Sequence, residues 1–363
     1  MTTPSTPNKA DIDWNAMLAP YRKASPWRSI FQLVNTGIPF LALWLLMLWS
    51  LSRGYWITLL LAVPSGLFLV RMFIIQHDCG HGSFFKSRRA NDTLGFIIGV
   101  LTLVPYRYWR RTHAIHHATS GDLDHRTFGD IDTLTVREYL SRSKLTRLRY
   151  RLYRNPVIML GLGPIYQFIL KHRYPFDTPR SWKREWASIH RTNLALLVVV
   201  TIMWFTVGID RFLLIQLPIT LISGSLGVFL FYVQHQYEDT YWRYHEGWEY
   251  YAAGLQGSSH YVLPKVLQWL TGNIGIHHIH HVSSRIPNYR LQQALDENPE
   301  LQQVTRLSVG ASVRTLWMTL WDEDERRLVG FRDLKAIKQR IEAASPGTGI
   351  EPGKPDAVPA PWH

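Results

Sequence analysis

The sequence predicts an all-α integral membrane protein with four transmembrane helices in two hairpins and a cytoplasmic, histidine-rich helical cap. Three observations predict it. Four stretches of roughly 20 residues are almost free of charge, long enough to cross a hydrocarbon layer about 30 Å thick. The segment between the second and third stretches, His77 to Arg191, carries 20 Lys and Arg, whereas the tips of the two hairpins carry one Arg each, Arg53 and Arg211. Histidines concentrate where the second and fourth stretches end and in the polar segments beyond them.

Thr2 to Asp13 is polar and expected to be mobile, and Ile12 to Trp27 reads as an amphipathic, aromatic approach to a membrane surface. Met1 to Trp27 contains no apolar core of a signal peptide, so no cleaved leader is expected. The first span is Ser29 to Leu51. Arg53 and Gly54 form its tip, and Tyr55 to Gln76 returns, interrupted only by Pro64 and Arg71. Thr93 to Tyr106 and Pro156 to Leu170 are apolar but short, and read as buried or interfacial helices. Thr192 to Gly208 and Phe212 to Gln234 form the second hairpin, joined by Ile209, Asp210 and Arg211.

Beyond Tyr289 the chain turns polar and is expected to be helical to about Glu342, and Ser345 to Trp362 is a Pro/Gly-rich tail. The expected organisation is therefore an N-terminal polar and amphipathic segment (1–27), a membrane domain with its cap (28–293), a C-terminal polar helical region (294–344) and a disordered tail (345–363). Both termini are expected to be cytoplasmic.

Of the 363 residues, 46% are hydrophobic and 18% charged, with 15 tryptophans. Trp44, Trp49, Tyr55 and Trp204 lie near span ends, as interface anchors do. The net charge of +13 does not indicate nucleic-acid binding, because the basic residues lie between apolar spans rather than on a nucleic-acid module. The single cysteine, Cys79, excludes an internal disulfide. It lies two residues from His77, off the face shared by His77 and His81, and is expected to be a packed thiol.

Nine of 16 histidines fall in three five-residue windows: His77 and His81; His113, His116 and His117; His277, His278, His280 and His281. Even scatter would leave fewer than one there. Residues i, i+3 and i+4 project from one side of a helix, so each window directs imidazoles towards a common point, with His278 turned away. Spacing gives eight candidate ligands. His235 is a ninth, because it ends the fourth span level with the place where His77 leaves the second. Eight or nine imidazoles exceed the four ligands of one zinc ion, so two metals are implied. Imidazole suits iron, copper, zinc and nickel alike, and the ligands alone do not choose among them.

His125, His172, His190, His245, His260 and His363 have no partner at ligand spacing and are expected in surface or structural roles. Asp78, Asp124, Glu238 and Asp239 lie near the clusters and are candidates to orient imidazoles, with exposed charge as the alternative. Trp109, Arg110, Arg111 and the basic stretch Arg142 to Arg154 are candidates for lipid phosphates or an acidic partner, with topology signalling as the alternative.

The three boxes, their order and their placement relative to the spans resemble the integral-membrane fatty acid desaturase and hydroxylase superfamily, over roughly Trp27 to Gln293. The segments His77-Asp78-Cys79-Gly80-His81-Gly82-Ser83-Phe84-Phe85 and His280-His281-Val282-Ser283-Ser284-Arg285-Ile286-Pro287-Asn288-Tyr289 are similar to its omega-6 acyl-lipid branch. The resemblance implies a centre of two Fe ions held by His77, His81, His113, His116, His117, His277, His280 and His281, with His235 resembling an additional histidine near the fourth span. It further implies dioxygen as co-substrate, a fatty acyl lipid or acyl thioester as substrate, and insertion of a cis double bond. No haem-binding or flavin-binding segment is evident, so electrons are expected from an external donor, a ferredoxin or cytochrome b5. Hydroxylation or ketolation of a lipid, alkane or carotenoid is the nearest alternative. A metal transporter or zinc-dependent membrane hydrolase is the rival from another class, and it is disfavoured because the spans are nearly free of ionisable groups.

Overall fold

The computed structural model describes residues 12–126 and 129–344. The polar start expected to be mobile, as far as residue 11, and the tail expected to be disordered, 345–363, lie outside the described residues. A short helix, α1 (Trp14–Leu18), leads through a 3-10 turn into α2 (Pro26–Ser50), followed by α3 (Tyr55–His81), α4 (Arg88–Leu101) and α5 (Tyr106–Thr119). Strand β1 (Leu134–Thr135), α6 (Val136–Ser141) and α7 (Lys144–Tyr153) precede two π-helical segments, Ile158–Leu162 and Ile165–Lys171. Next come α8 (Lys183–Thr206) and α9 (Ile209–His235), then α10 (Tyr250–Gln256), β2 (His260–Tyr261), α11 (Lys265–Leu270) and α12 (His277–Val282). The C-terminal part holds α13 (Asn288–Glu297), β3 (Arg306–Leu307), α14 (Val309–Thr315), β4 (Leu320–Asp322), β5 (Arg327–Val329) and α15 (Leu334–Ala344).

Among the described residues, helices α2, α3, α8 and α9 are the four that are long and apolar enough to cross a membrane. Their outward faces expose large apolar side chains such as Leu41, Leu45, Leu60, Val198, Phe205 and Leu214, a surface that needs lipid rather than water against it. Helix α3 packs on both α2 and α9 and is the axis of the bundle. Gly66 lets α3 and α9 touch: a Cβ there would lie 2.7 Å from Ile222 Cγ2. Arg71, which the hydropathy pattern leaves as an isolated charge in a span, is buried. Its Nε donates to Thr36 Oγ1 at 3.0 Å, its Nη1 donates to the Trp269 carbonyl, and its guanidinium lies 4.0 Å from the Trp269 ring centroid.

Two expectations need correction. The second hairpin does not turn at Ile209–Arg211; those residues begin α9, and the turn is Val207 and Gly208, because α8 starts well before its apolar stretch, at Lys183. The region after Tyr289 is not wholly helical. β4 pairs antiparallel with β5 and parallel with β1, tying the C-terminal part to the loop after α5, while β3 pairs parallel with β2. These strands are two or three residues long, too short to leave an alternating pattern that sequence can reveal.

Candidate metal centre

The first histidine pair sits on α3 because that helix runs five residues past its apolar stretch. It stops at Gly82, whose left-handed backbone (φ 69°) lets the Gly82 and Ser83 N–H groups donate to the Cys79 and Asp78 carbonyls, both at 3.0 Å. His77 and His81 therefore project one turn apart at the end of a helix anchored in the bundle. Helix α5 carries the second box and packs on α3 and α8. Helix α12 carries the third and packs on α10, and behind it Ile276, Ile279, Val282 and Ile286 share an apolar core with Trp14, Leu18 and Tyr21 of the N-terminal segment. His235 is the last residue of α9.

The structure brings all nine candidate rings together, as two adjacent groups rather than one. His77, His81, His113, His117 and His280 form the first, and His116, His235, His277 and His281 the second; within each group one nitrogen from each ring lies within 4.8 Å of those from the others. The groups adjoin, with His117 and His281 stacked at 4.2 Å between centroids. Helical geometry explains the division. Residues i and i+4 stand about 40° apart around a helix whereas i+3 and i+4 stand about 100° apart. Thus His113 and His117 serve one group and His116 the other, while His277 and His281 serve the second and His280 the first. The third box returns what the second lends.

Hydrogen bonding alone does not satisfy this cluster. His117 Nε2 faces His113 Nε2 at 3.1 Å and His280 Nε2 at 3.0 Å, and a ring nitrogen that carries one hydrogen or one lone pair cannot serve both. His81 Nε2, His116 Nε2, His117 Nδ1, His277 Nδ1 and His281 Nε2 are buried without a protein partner. Around an ion bonded at about 2.0–2.1 Å, neighbouring imidazole nitrogens stand roughly 3 Å apart, so the residues fit two metal ions. Burial, and then the neighbouring imidazoles, hold His113, His117, His277, His280 and His281 well below the usual histidine range, which keeps them in the neutral form that binds metal.

The supporting contacts differ from those expected. Asp130, which the sequence reading missed, accepts from His116 Nδ1 at 2.5 Å and so leaves Nε2 free to face the second group. Gly129 makes this possible: a Cβ there would lie 2.9 Å from the Thr112 carbonyl oxygen, so only glycine lets the loop come so close to α5. Nothing in the spacing of Asp130 from the second box signals the contact. His235 donates from Nδ1 to the Gly257 carbonyl at 3.0 Å.

Asp78 has its Oδ1 3.4 Å from His77 Nδ1, while its Oδ2 accepts from the backbone and side chain of Asn288 at 2.7 and 2.8 Å, fastening the start of α13 to the first box. Asp124 accepts from the backbone of His245, and Glu238 pairs with Arg327. Trp109 stacks on His113 at 4.6 Å and 18°, with its edge against Gly80. Arg110 and Arg111 are paired with Asp92 and Glu185. Arg154 is buried and donates to the Asp132 and Met318 carbonyls, Tyr232 and Gln236, so it is a packing element and not a phosphate site.

The remaining described histidines stay outside the centre. His278 turns away and donates to the Leu301 carbonyl at 2.9 Å. His125 and His245 both donate to Oδ2 of buried Asp122 at 2.7 Å, a clasp that joins the loop after α5 to the loop after α9. His172 accepts from Gln167, His190 stacks on Trp186, and Cys79 is buried.

A cavity of about 1550 Å³ reaches the centre at His77, His113 and His277. It is lined by Leu69, Val70 and Phe73 of α3, Gly227 of α9, and Met159, Leu162 and Phe168 of the π-helical segments. Those segments are held to α9 by Ser225 Oγ, which donates to the Leu160 carbonyl at 2.6 Å.

Four membrane-length helices, two of which, α3 and α9, end in a polyhistidine centre, with a largely apolar cavity leading to it, define a polytopic membrane protein equipped for metal chemistry on a lipid chain. The chain belongs to the fatty acid desaturase family, whose description matches residues 53–309, and its function is fatty acid desaturation. It is 48% identical to a fatty acid desaturase of Bacillus subtilis over 91% of this chain and 93% of that one. It is 28% identical to an sn-1 oleoyl-lipid 12-desaturase of Anabaena variabilis, over 68% and 70% of the two chains. It is 25% identical to a Delta(12)-oleate desaturase of Trichosanthes kirilowii, over 79% and 77%.

Proposed function

We propose that this desaturase inserts a cis double bond into a fatty acyl chain, carried by a lipid or an acyl thioester, at a centre of two irons held by His77, His81, His113, His116, His117, His235, His277, His280 and His281. The observation that carries this reading is the meeting of nine imidazoles, seven of them on buried residues, in two adjoining groups at the end of a cavity large enough for a long chain. When bound, the irons supply the redox chemistry by which dioxygen, two external electrons and two protons take one hydrogen from each of two neighbouring methylenes, giving one alkene and two waters.

The protein's own residues do the rest. Asp130 fixes the tautomer of His116, Trp109 fixes the plane of His113, and Asn288 holds Asp78 against His77. Val70, Phe73 and Ile74 give the cavity a dry wall beside the first box and align the chain. The relatives named as 12-desaturases support an omega-6 type of regioselectivity. A ferredoxin or cytochrome b5 would supply electrons. The charge asymmetry supports a centre and both termini on the cytoplasmic side.

Expression in a host lacking polyunsaturated lipids, with mass spectrometry of its lipids and metal analysis of the purified chain, tests the reading. A new oxygen-dependent diene and about two irons per chain are expected, with both the diene and turnover lost in His116→Ala. A hydroxylated product rejects desaturation at this centre, and zinc alone without oxygen-dependent activity after iron reconstitution rejects the iron centre.

A further inference from the structure

We infer that Gly227 sets how deep the acyl chain reaches, and hence which carbons lie at the centre, by leaving open the limb of the cavity between α3, α9 and the π-helical segments. This rests on the proposed desaturation reading and assigns a residue of this chain to its regioselectivity.

The cavity wall draws on two unlike sources. The loops and helices of the cap supply Arg126, Asp132, Glu138, Arg149 and Tyr244; the second limb, between α3, α9 and the π-helical segments, is lined by Leu69, Val70, Met159, Leu162, Phe168 and Gly227, with the polar Gln167 and Lys171 among them. An ester, thioester or charged head placed in the second limb would lose its hydration without a partner, whereas a terminal methyl loses nothing there. The chain therefore enters that limb methyl end first. The polar groups there are already engaged: Ser223 Oγ donates to the Thr220 carbonyl at 3.1 Å, Thr220 Oγ1 accepts from Gln216 at 3.3 Å, Gln167 donates to His172 Nε2 at 2.9 Å, and Lys171 pairs with Asp177 at 2.6 Å. The wall offers shape and little polarity.

Gly227 is the glycine of the spanning helices that opens on this limb; Gly163 also lines it, from the π-helical side, where a Cβ would meet only the Ile158 carbonyl oxygen at 3.7 Å. A Cβ on Gly66 would strike Ile222 at 2.7 Å and one on Gly224 would strike Pro164 at 2.8 Å, so these two are filled by neighbouring helices. A Cβ on Gly227 would meet nothing within 4 Å. Glycine weakens the interior of a helix, and here no close packing requires it; what its missing side chain leaves is cavity. Gly227 precedes His235 by eight residues and Thr220 precedes it by fifteen, which places them about 12 Å and about 22 Å below the end of α9 at roughly 1.5 Å per residue. A side chain at position 227 would thus stop the chain at about half the available depth.

The test compares Gly227→Ala, Gly227→Val and Gly227→Leu with wild type, reading iron content, the chain lengths accepted and the double-bond position by mass spectrometry of derivatised lipids. Gly37→Leu is the control, because Gly37 lies in α2, does not line the cavity and also has open space at its Cβ. Expected is a graded loss, with Gly227→Leu lowering the share of product from the longest chains at least tenfold and moving the new bond towards the methyl end, while Gly37→Leu keeps the wild-type profile. An unchanged profile in an iron-replete Gly227→Leu enzyme overturns the inference, as does a shift towards the carboxyl end. Should Gly227→Leu fail to assemble, Gly227→Ala decides by the same readout: a smaller shift of the same sign supports the inference and an identical profile overturns it. A wild-type enzyme that forms no double bond refutes the desaturation reading itself, an outcome distinct from an active wild type whose variants match it.

Discussion

Replacing Asp130 tests how far the centre depends on a residue that ligates nothing. Its carboxylate accepts from His116 Nδ1 at 2.5 Å, and His116 Nε2, buried and without a protein partner, faces the group made with His235, His277 and His281. The carboxylate has two effects: it selects the tautomer with a lone pair on Nε2, and its negative charge favours a cation bound on the far side of the ring. Asp130→Asn keeps an acceptor oxygen and loses the charge; Asp130→Leu loses both. Losing such a partner costs about 10- to 100-fold in metal affinity, or ~1.4–2.7 kcal/mol. The asparagine variant should fall near the lower figure and the leucine variant near the upper one. The assay is a chelator competition on detergent-solubilised protein with metal content read by mass spectrometry, expecting one of the two ions to be lost first. Metal retention by Asp130→Leu equal to wild type across the chelator series would refute the tautomer argument.

Arg154→Ala should lower stability by about 1–3 kcal/mol, because it leaves Tyr232, Gln236 and the Asp132 and Met318 carbonyls without their buried donor; thermal unfolding in detergent within experimental error of wild type would contradict this. Gly66→Val should cost about 1–3 kcal/mol by forcing α3 from α9, where a Cβ would lie 2.7 Å from Ile222 Cγ2, and the same scan checks it. His172 gives a pH test away from the centre. Burial, with the charges of Arg173 and Lys171, pushes it down to about 3 from the usual 6.5. Its contribution to stability is therefore complete above about pH 6.5 and is lost as pH falls towards 3, at ~1.4 kcal/mol per pH unit. Between pH 7 and pH 5 wild type should lose about 2 kcal/mol more than His172→Asn, measured as the difference in unfolding free energy at the two pH values. Equal losses would show that His172 is not held neutral.

Much of this architecture can be read from the chain. The crossings are visible because lipid demands long uncharged runs, a constraint that acts residue by residue. The histidines are visible because a helix imposes i, i+3 and i+4 on any side chains that must converge. Asp130 is invisible for the opposite reason: it reaches His116 through a loop whose path depends on how near Gly129 comes to α5, and no period in the sequence records that approach. Gly227 is likewise indistinguishable from Gly224 until the π-helical segments are seen to cover one and not the other. The strand pairing that ties the C-terminal part to the loop after α5 depends on partners nearly 190 residues apart, Leu134 and Leu320.

By itself the sequence determined the four spans, the three boxes and the inward face of each, because hydrophobic burial in lipid and helical periodicity are local properties. Only the tertiary structure decided that the imidazoles divide into two groups, which carboxylate supports them, and where the cavity is open. Those features are distances between segments remote in sequence, and such distances come into being only when the helices pack.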